Sequence, residues 1–416
     1  MKYIQRAISD VLKDRSKYAK VVLLCGARQV GKSTVMQNVF ESYEIVSFDS
    51  IQDRIEARTD PDLFFLNNKP PLIIDEVQKE PSILEEIKLR VDASDERGNF
   101  ILTGSQNLEG SQNLELMRGA SESLAGRVSV LRLAGLSQRE IYGSKFNKHF
   151  LPTDEYIASR EKCLNTNEDI WNDIFRGSYP EMYSSKRDWE DFYRSYVNTY
   201  IERDINDLIS ADSVTFAKFM MVLAARCGQL LNYTNIAREV EVSLPTIKTW
   251  VSILERTGVV YLLHPYSSSA IKRAIKTPKI YFYDTGLACY LAGWTEKKAV
   301  QRSAVAGNIF ETFVISEILK SFINEGKETK NRIFFYRGKD KSNTRDNEID
   351  LIIEENGILW PIEIKMTGNP QKKMGGCFSV LSKVKDKKVG RGVILCLANK
   401  KKYLSDNLIA LPVSYI

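Results

Sequence analysis

The segment GARQVGKST, residues 26–34, follows directly on Val21-Val-Leu-Leu-Cys25, and this junction restricts the fold more than any other feature of the chain. A short, fully apolar, β-branched run suits a strand buried on both faces of a parallel sheet. The segment after it fits G-x-x-x-x-G-K-[ST], the phosphate-binding loop pattern. Its glycines let the backbone curl so that N–H groups face an anion, and a helix beginning near Lys32 turns its positive end toward the same anion. The pattern assigns Gly26, Ala27, Arg28, Gln29, Val30, Gly31, Lys32, Ser33 and Thr34 to a nucleotide cradle. Lys32 is expected on the β- and γ-phosphates of ATP, and the Ser33 hydroxyl on Mg²⁺.

A cradle of this kind needs an acidic partner for the metal. Pro71-Leu-Ile-Ile-Asp75-Glu76 supplies an apolar run ending in two carboxylates. Asp75 is expected to position Mg²⁺ through its water shell, and Glu76 to orient or deprotonate the attacking water. A third strand, Asn99-Phe-Ile-Leu-Thr103, leads into Gly104-Ser105-Gln106. A polar residue closing that strand would sense the γ-phosphate, with Ser105 and Gln106 as the two choices. A fourth run, Val128–Leu133, is preceded by Arg127, which is placed either to reach a transition-state phosphate, in cis or from a neighbour, or to form a surface ion pair.

Together GARQVGKST, PLIIDEVQ, FILTGSQ and ESLAGRV resemble the AAA-type ATPases of the AAA_14 group, in which the ATPase core is fused to a C-terminal DUF4143 domain. The resemblance runs over nearly the whole chain. It implies an additional-strand P-loop core with the sensor strand between the two phosphate-binding strands. It also implies the roles above for Lys32, Ser33, Asp75 and Glu76, a sensor role for Gln106, and a phosphate-reaching role for Arg127. Tyr200-Ile-Glu-Arg203 is similar to a recurrent segment of the group and makes Arg203 a second lid arginine. One departure is a tandem hexapeptide, GSQNLE at 104–109 and again at 110–115, just after the sensor strand. Six extra loop residues add well under ~1 kcal/mol of closure entropy, so the second copy is expected to bulge outward.

Past residue 135 the chain reads as helical, with a stop at Gly177 and Pro180 and a long aromatic helix from Asp188 to Leu208. Residues 214–266 read as three helices and a strand, a winged helix-turn-helix, with Ser243 capping the third helix and Thr246, Lys248, Thr249 and Arg256 exposed on it. Ser267-Ser-Ser-Ala-Ile-Lys-Arg273 is the best linker, and Lys279-Ile-Tyr-Phe-Tyr-Asp284-Thr-Gly-Leu287 looks like a family signature. Beyond a helix from about Ala306 to Phe322, Asp350 and Glu363-x-Lys365 fall on successive strands, and alternation puts Glu363 and Lys365 on one face. That spacing resembles the PD-(D/E)xK nuclease fold. It implies Asp350 and Glu363 as Mg²⁺ ligands, Lys365 as the group stabilising the attacking hydroxide or the phosphorane, and Glu311 as a fourth acid. A fold of this kind also serves as a binding platform without cleavage.

The domain plan is therefore 1–140 ATPase core, 141–212 helical connector, 213–266 winged helix and 267–416 nuclease-like domain, an α/β chain throughout. Between Gln371 and Lys402 ten basic residues face one acid, a net +9 in a chain of total charge +6, so the remainder is net acidic. Such a segment attracts DNA or RNA backbone. The function expected is an ATPase coupled to nucleic-acid binding or processing; the alternative is a nucleotide-dependent switch that binds a protein partner. An oligomer is compatible with either. No apolar run approaches the ~20 residues of a membrane span, and the charged N-terminus has no signal core, which makes a cytoplasmic location the expectation. The six cysteines, Cys25, Cys163, Cys227, Cys289, Cys377 and Cys396, form no CxxC pair beside only two histidines, and read as core residues rather than a zinc site or disulfides.

Overall fold

The computed structural model describes residues 3–105, 124–164, 169–200, 213–267, 276–339 and 346–416. Gln106, the second hexapeptide copy and Arg203 lie outside these residues; Ser105 ends a strand. The first sheet holds β1 (Val21–Gly26), β2 (Glu44–Ser47), β3 (Leu72–Asp75), β4 (Phe100–Ser105) and β5 (Val128–Leu133) in the order β2-β3-β4-β1-β5, all parallel. The sensor strand β4 thus lies between β1 and β3, as expected. Alternation splits β1 between two cores: Val22 and Leu24 face one, Val21, Leu23 and Cys25 the other. That double burial explains why β1 reads as an unbroken apolar run. Helix α1 (Lys32–Val39) follows the loop.

The middle is helical. It includes α2 (Trp189–Tyr200), α3 (Ser213–Ala224), α4 (Tyr233–Val240) and α5 (Leu244–Arg256), the last capped by Ser243 with Pro245 in its first turn. Lys248, Thr249 and Arg256 are exposed as expected, whereas Thr246 is half-buried against the Ser243 hydroxyl, 2.7 Å away. Strand β6 (Val260–Leu263) pairs antiparallel with β7 (Lys279–Phe282). The boundary expected at 266/267 therefore cuts a hairpin.

Helix α6 (Ala306–Asn324) has 16 buried residues among its 19, so it is enclosed on nearly all sides. It packs against β5 of the first sheet, against β7, and against β10 of the second. The second sheet comprises β8 (Ile333–Lys339), β9 (Asp346–Glu355), β10 (Ile358–Lys365), β11 (Lys388–Val389), β12 (Gly392–Cys396), β13 (Lys402–Ser405) and β14 (Leu408–Pro412). Its order is β13-β14-β12-β10-β9-β8, with β11 alongside β10. One apolar core runs from the face of β1 and β5 through α3, α5 and α6 to β10, β12 and β14. Among the described residues, no helix is long and apolar enough to cross a membrane. All six cysteines are free thiols; Cys163 and Cys377 are half-buried rather than core.

Candidate nucleotide and acid–lysine sites

The phosphate loop is shaped by two glycines. At Gly26 a β-carbon would sit 2.3 Å from the Leu133 carbonyl oxygen, so only glycine lets β1 end so close to β5. Gly31 has φ 91° and Gln29 φ 59°, left-handed positions that curl the loop onto the start of α1. Gly31 offers no side chain to cap α1, so the first N–H groups of that helix remain available to an anion. The Lys32 ammonium is buried and donates to the carbonyls of Gly26 and Ala27, each at 3.1 Å. Burial pulls its pKa below the usual lysine value, against the opposing pull of Glu76.

The Ser33 hydroxyl lies 2.8 Å from both oxygens of Asp75. The register Ile74↔Leu102 sets Asp75 opposite Thr103 on β4, and the buried Thr103 hydroxyl donates to Asp75. The same hydroxyl accepts from the Glu76 N–H at 3.2 Å. Glu76 has φ 56° just past the strand end, and the Gln78 amide donates to its carboxylate. Strand β3 thus delivers Asp75 and Glu76 to the mouth of the loop, as the apolar run before them required. A cleft of about 290 Å³ opens there, lined by Arg28, Gln29, Gly31, Lys32, Ser33, Thr34 and Glu76, by Asp49 and Lys79, and by Tyr196 and Thr199 of α2.

Thr103, Tyr196 and Thr199 were missed from sequence. The signal for Thr103 was a polar residue inside an apolar strand; for α2 it was an aromatic spacing that reads equally as core.

Arg127 is not brought to this cleft. It precedes β5 at the end where Val21 pairs with Val128, whereas the loop leaves β1 at Gly26, opposite Leu133. Five residues of strand, ~17 Å, separate the two ends. Its guanidinium pairs with Asp92, with one bond at 2.8 Å, and that hydrogen-bonded pairing holds the Asp92 carboxyl below the usual range. Of the readings open for this residue, the surface ion pair is the one formed within the chain.

In the second sheet, Asp350 of β9 and Glu363 and Lys365 of β10 converge. The Lys365 ammonium lies 2.7 Å from Glu363 and 3.4 Å from Asp350, and Asp350 also accepts from the Ile364 N–H at 2.8 Å. Glu311 of α6 joins them through residues that sequence reasoning overlooked. Lys279 of β7, 5% exposed, lies 3.2 Å from Glu311 and 2.6 Å from Glu348, and the Tyr281 hydroxyl donates to Glu311 at 2.6 Å. Lys279 and Tyr281 alternate on β7, a period-two pattern legible in the signature segment once it is read as a strand. Burial, reinforced by Asp350, pushes Glu311 up to about 7 and Glu363 up to about 8. Burial alone would lower both lysines, but Glu311 and Asp350 around Lys279, and Asp350 and Glu363 around Lys365, hold them above the usual range.

Among the described residues, no three His, Cys, Asp or Glu side chains are grouped to hold a metal ion. Glu311, Asp350 and Glu363, the three acids expected as metal ligands, each lie within reach of a lysine: Glu311 of Lys279, and Asp350 and Glu363 of Lys365. The rest of the family signature is structural: Asp284 caps the helix that follows and accepts from Ser178 and from Tyr193, at 2.8 and 2.7 Å. Of the ten cations in 371–402, Lys387, Arg391 and Lys401 are paired with Glu354, Asp154 and Glu161. Lys372, Lys373, Lys383, Lys385, Lys388, Lys400 and Lys402 are exposed.

Three family models match successive stretches: an AAA domain (AAA_14) at residues 18–142, a domain of unknown function (DUF8612) at 167–298, and a domain of unknown function (DUF4143) at 306–416. The chain is 28% identical over 406 residues to the uncharacterized protein Rv2008c of Mycobacterium tuberculosis, covering 96% of this chain and 81% of that one. It is 22% identical to the uncharacterized protein MJ1637 of Methanocaldococcus jannaschii, covering 73% and 70% respectively. The solved Walker-type ATPase PABY2304 of Pyrococcus abyssi aligns at 13% identity over 68% of this chain and 94% of that one, with a TM-score of 0.38, too low to establish a shared fold over that span. The chain thus carries an AAA domain of the AAA_14 family at its N-terminal end and a DUF4143 domain at residues 306–416.

Proposed function

We infer that this protein is a Mg²⁺-dependent ATPase whose second sheet is a binding platform for nucleic acid rather than a metal nuclease. The observation that carries the ATPase reading is the Ser33 hydroxyl at 2.8 Å from both Asp75 oxygens, at the start of the helix that follows the glycine-shaped loop. Hard oxygen donors of this kind suit Mg²⁺, which would supply positive charge to neutralise the phosphates. Ser33 and Asp75 would hold it. The loop from Gly26 to Thr34 would cradle the phosphates, with Lys32 leaving its two carbonyls for the β- and γ-oxygens. Glu76 would align a water on the γ-phosphorus, accepting its proton as the bond to the β–γ bridging oxygen breaks and ADP leaves. The sensor role of Gln106 remains part of the proposal.

For the platform, support comes from the exposed lysines on and after the segment Lys372–Lys383, in the same domain as a carboxylate cluster already paired with its own lysines. The test is steady-state ATP hydrolysis by the full chain with and without duplex and single-stranded DNA, with Lys32→Ala as blank. Stimulation that falls steeply between low and moderate salt is the expected result. Turnover indifferent to any nucleic acid at low salt would replace the platform by a switch for a protein partner. Glu76→Gln should bind nucleotide and not turn it over; normal turnover in that variant would refute the role of Glu76.

A further inference from the structure

Arg6 is 3% exposed and lies far from the phosphate loop in sequence, yet its guanidinium donates at 2.7 Å to the carbonyl of Val30, inside the loop. The rest of the fork is occupied as well. Nε donates to Glu140 at 2.9 Å, and the second amino group to the Ala134 carbonyl, just past β5, at 2.7 Å. Glu140 is itself fixed: it accepts from the N–H of Ala7 at 2.8 Å and from the N–H of Ser137 at 2.7 Å. Burial would raise the Glu140 carboxyl, but Arg6 and these N–H groups outweigh it and hold it below the usual range. Arg6 is therefore a charged, immobile anchor with a matched counter-charge.

The bond to Val30 has a geometric consequence. A peptide unit is planar and trans, so its carbonyl and the following N–H point in opposite directions. With the Val30 oxygen drawn to Arg6, the N–H of Gly31 points away from Arg6. That direction leads into the cleft lined by Gly31, Lys32 and Ser33. Gly31, at φ 91°, has no β-carbon to resist a flip of this peptide. A flip would turn the Val30 lone pairs toward the phosphates and lose the N–H. We propose that Arg6, held by Glu140, is a positioning residue for phosphate: it fixes the Val30–Gly31 peptide so that the Gly31 N–H is preset to receive the triphosphate. This inference rests on the nucleotide reading above.

The test is calorimetric binding of Mg²⁺-ATP to the full chain, alongside kcat and KM, for the wild type, Arg6→Ala and Arg6→Lys. Losing a hydrogen bond to a charged group weakens binding roughly 10–100-fold, and that rise is expected in Kd and KM of Arg6→Ala while kcat at saturation changes little. Added guanidinium ion should restore part of the affinity of Arg6→Ala and do nothing for Lys32→Ala, a response that a general packing defect does not give. A folded Arg6→Ala with wild-type affinity overturns the proposal. If Arg6→Ala does not fold, Arg6→Lys decides. Arg6 meets Glu140, Val30 and Ala134 from three separate nitrogens of a planar fork, which one ammonium nitrogen does not reproduce, so about a tenfold loss is expected, and wild-type affinity overturns the proposal. A wild-type protein that binds no nucleotide would instead overturn the nucleotide reading itself, which separates the two failures.

Discussion

In the N-terminal cleft the ammonium of Lys32 is held by two backbone carbonyls, whereas those of Lys365 on the C-terminal sheet and of Lys279 on β7 are held by carboxylates. Both regions bring lysines and acids together. In the first, Asp75 is met by hydroxyls, from Ser33 and Thr103, which can turn aside for a cation. In the second, each acid faces a lysine that already supplies the positive charge. What a lysine is paired with, more than which residues are present, separates the two regions.

The comparison breaks first at Lys279. If it is the internal counter-charge of Glu311 and Glu348, Lys279→Met leaves the partly buried Glu311 carboxylate without its cation and should cost about 3 kcal/mol in denaturant unfolding. A loss below ~1 kcal/mol would show that water or a solution cation readily takes its place, and the two regions would then differ less than their geometry says. Slightly smaller is the effect at the other lysine. Lys32→Ala should leave stability nearly unchanged and lower kcat/KM for ATP by roughly 10²–10³-fold, the scale of removing one donor from a phosphate or oxyanion site.

The two regions also differed in how far they were legible. The nucleotide cradle was readable because every requirement is local: an apolar strand, glycines at the curl, and a lysine and hydroxyl opening a helix. Asp75 was readable because an apolar strand delivers it. Thr103 was not, because its role depends on the register of β3 against β4, which sequence spacing does not contain. In the second region, Asp350, Glu363 and Lys365 were correctly brought together by strand alternation, but their chemistry was read without Lys279. That lysine comes from β7, across a stretch whose small polar residues look like a linker and which instead connects β6 to β7. Arg6 offered no signal at all, since a lone arginine near the N-terminus reads as surface and only the fold buries it against Val30.

A pH titration sharpens the contrast from the acid side. Glu363 is pushed up to about 8 and Glu311 to about 7 in the folded chain, while an unfolded glutamate ionises near ~4.3. The unfolded state thus loses these protons first as pH rises. Their contribution to stability is complete below the unfolded value, declines as pH climbs, and is gone once pH passes the folded values. Melting temperature should fall between about pH 5 and 8, and Glu363→Gln should flatten that fall by a few degrees. A wild-type melting profile that is level across this window would mean that the cluster is solvated and not the buried, lysine-paired site described above.

The smallest effect is expected at Arg127. Its distance from the loop, the length of β5, leaves it no phosphate in its own chain, and its partner Asp92 is a surface carboxylate whose attraction is screened by salt. Arg127→Ala should therefore keep wild-type kcat and KM in dilute solution. The informative measurement is turnover per chain across a concentration series. If wild type and variant both give flat, equal values, the ion pair is all that Arg127 contributes. If wild-type turnover rises with concentration and the variant stays level, Arg127 reaches a neighbouring chain's cleft, and the nucleotide site is completed only in an assembly. Asp92→Asn distinguishes the two cases again, since it frees Arg127 without removing it: turnover would be unchanged in the first and preserved or raised in the second.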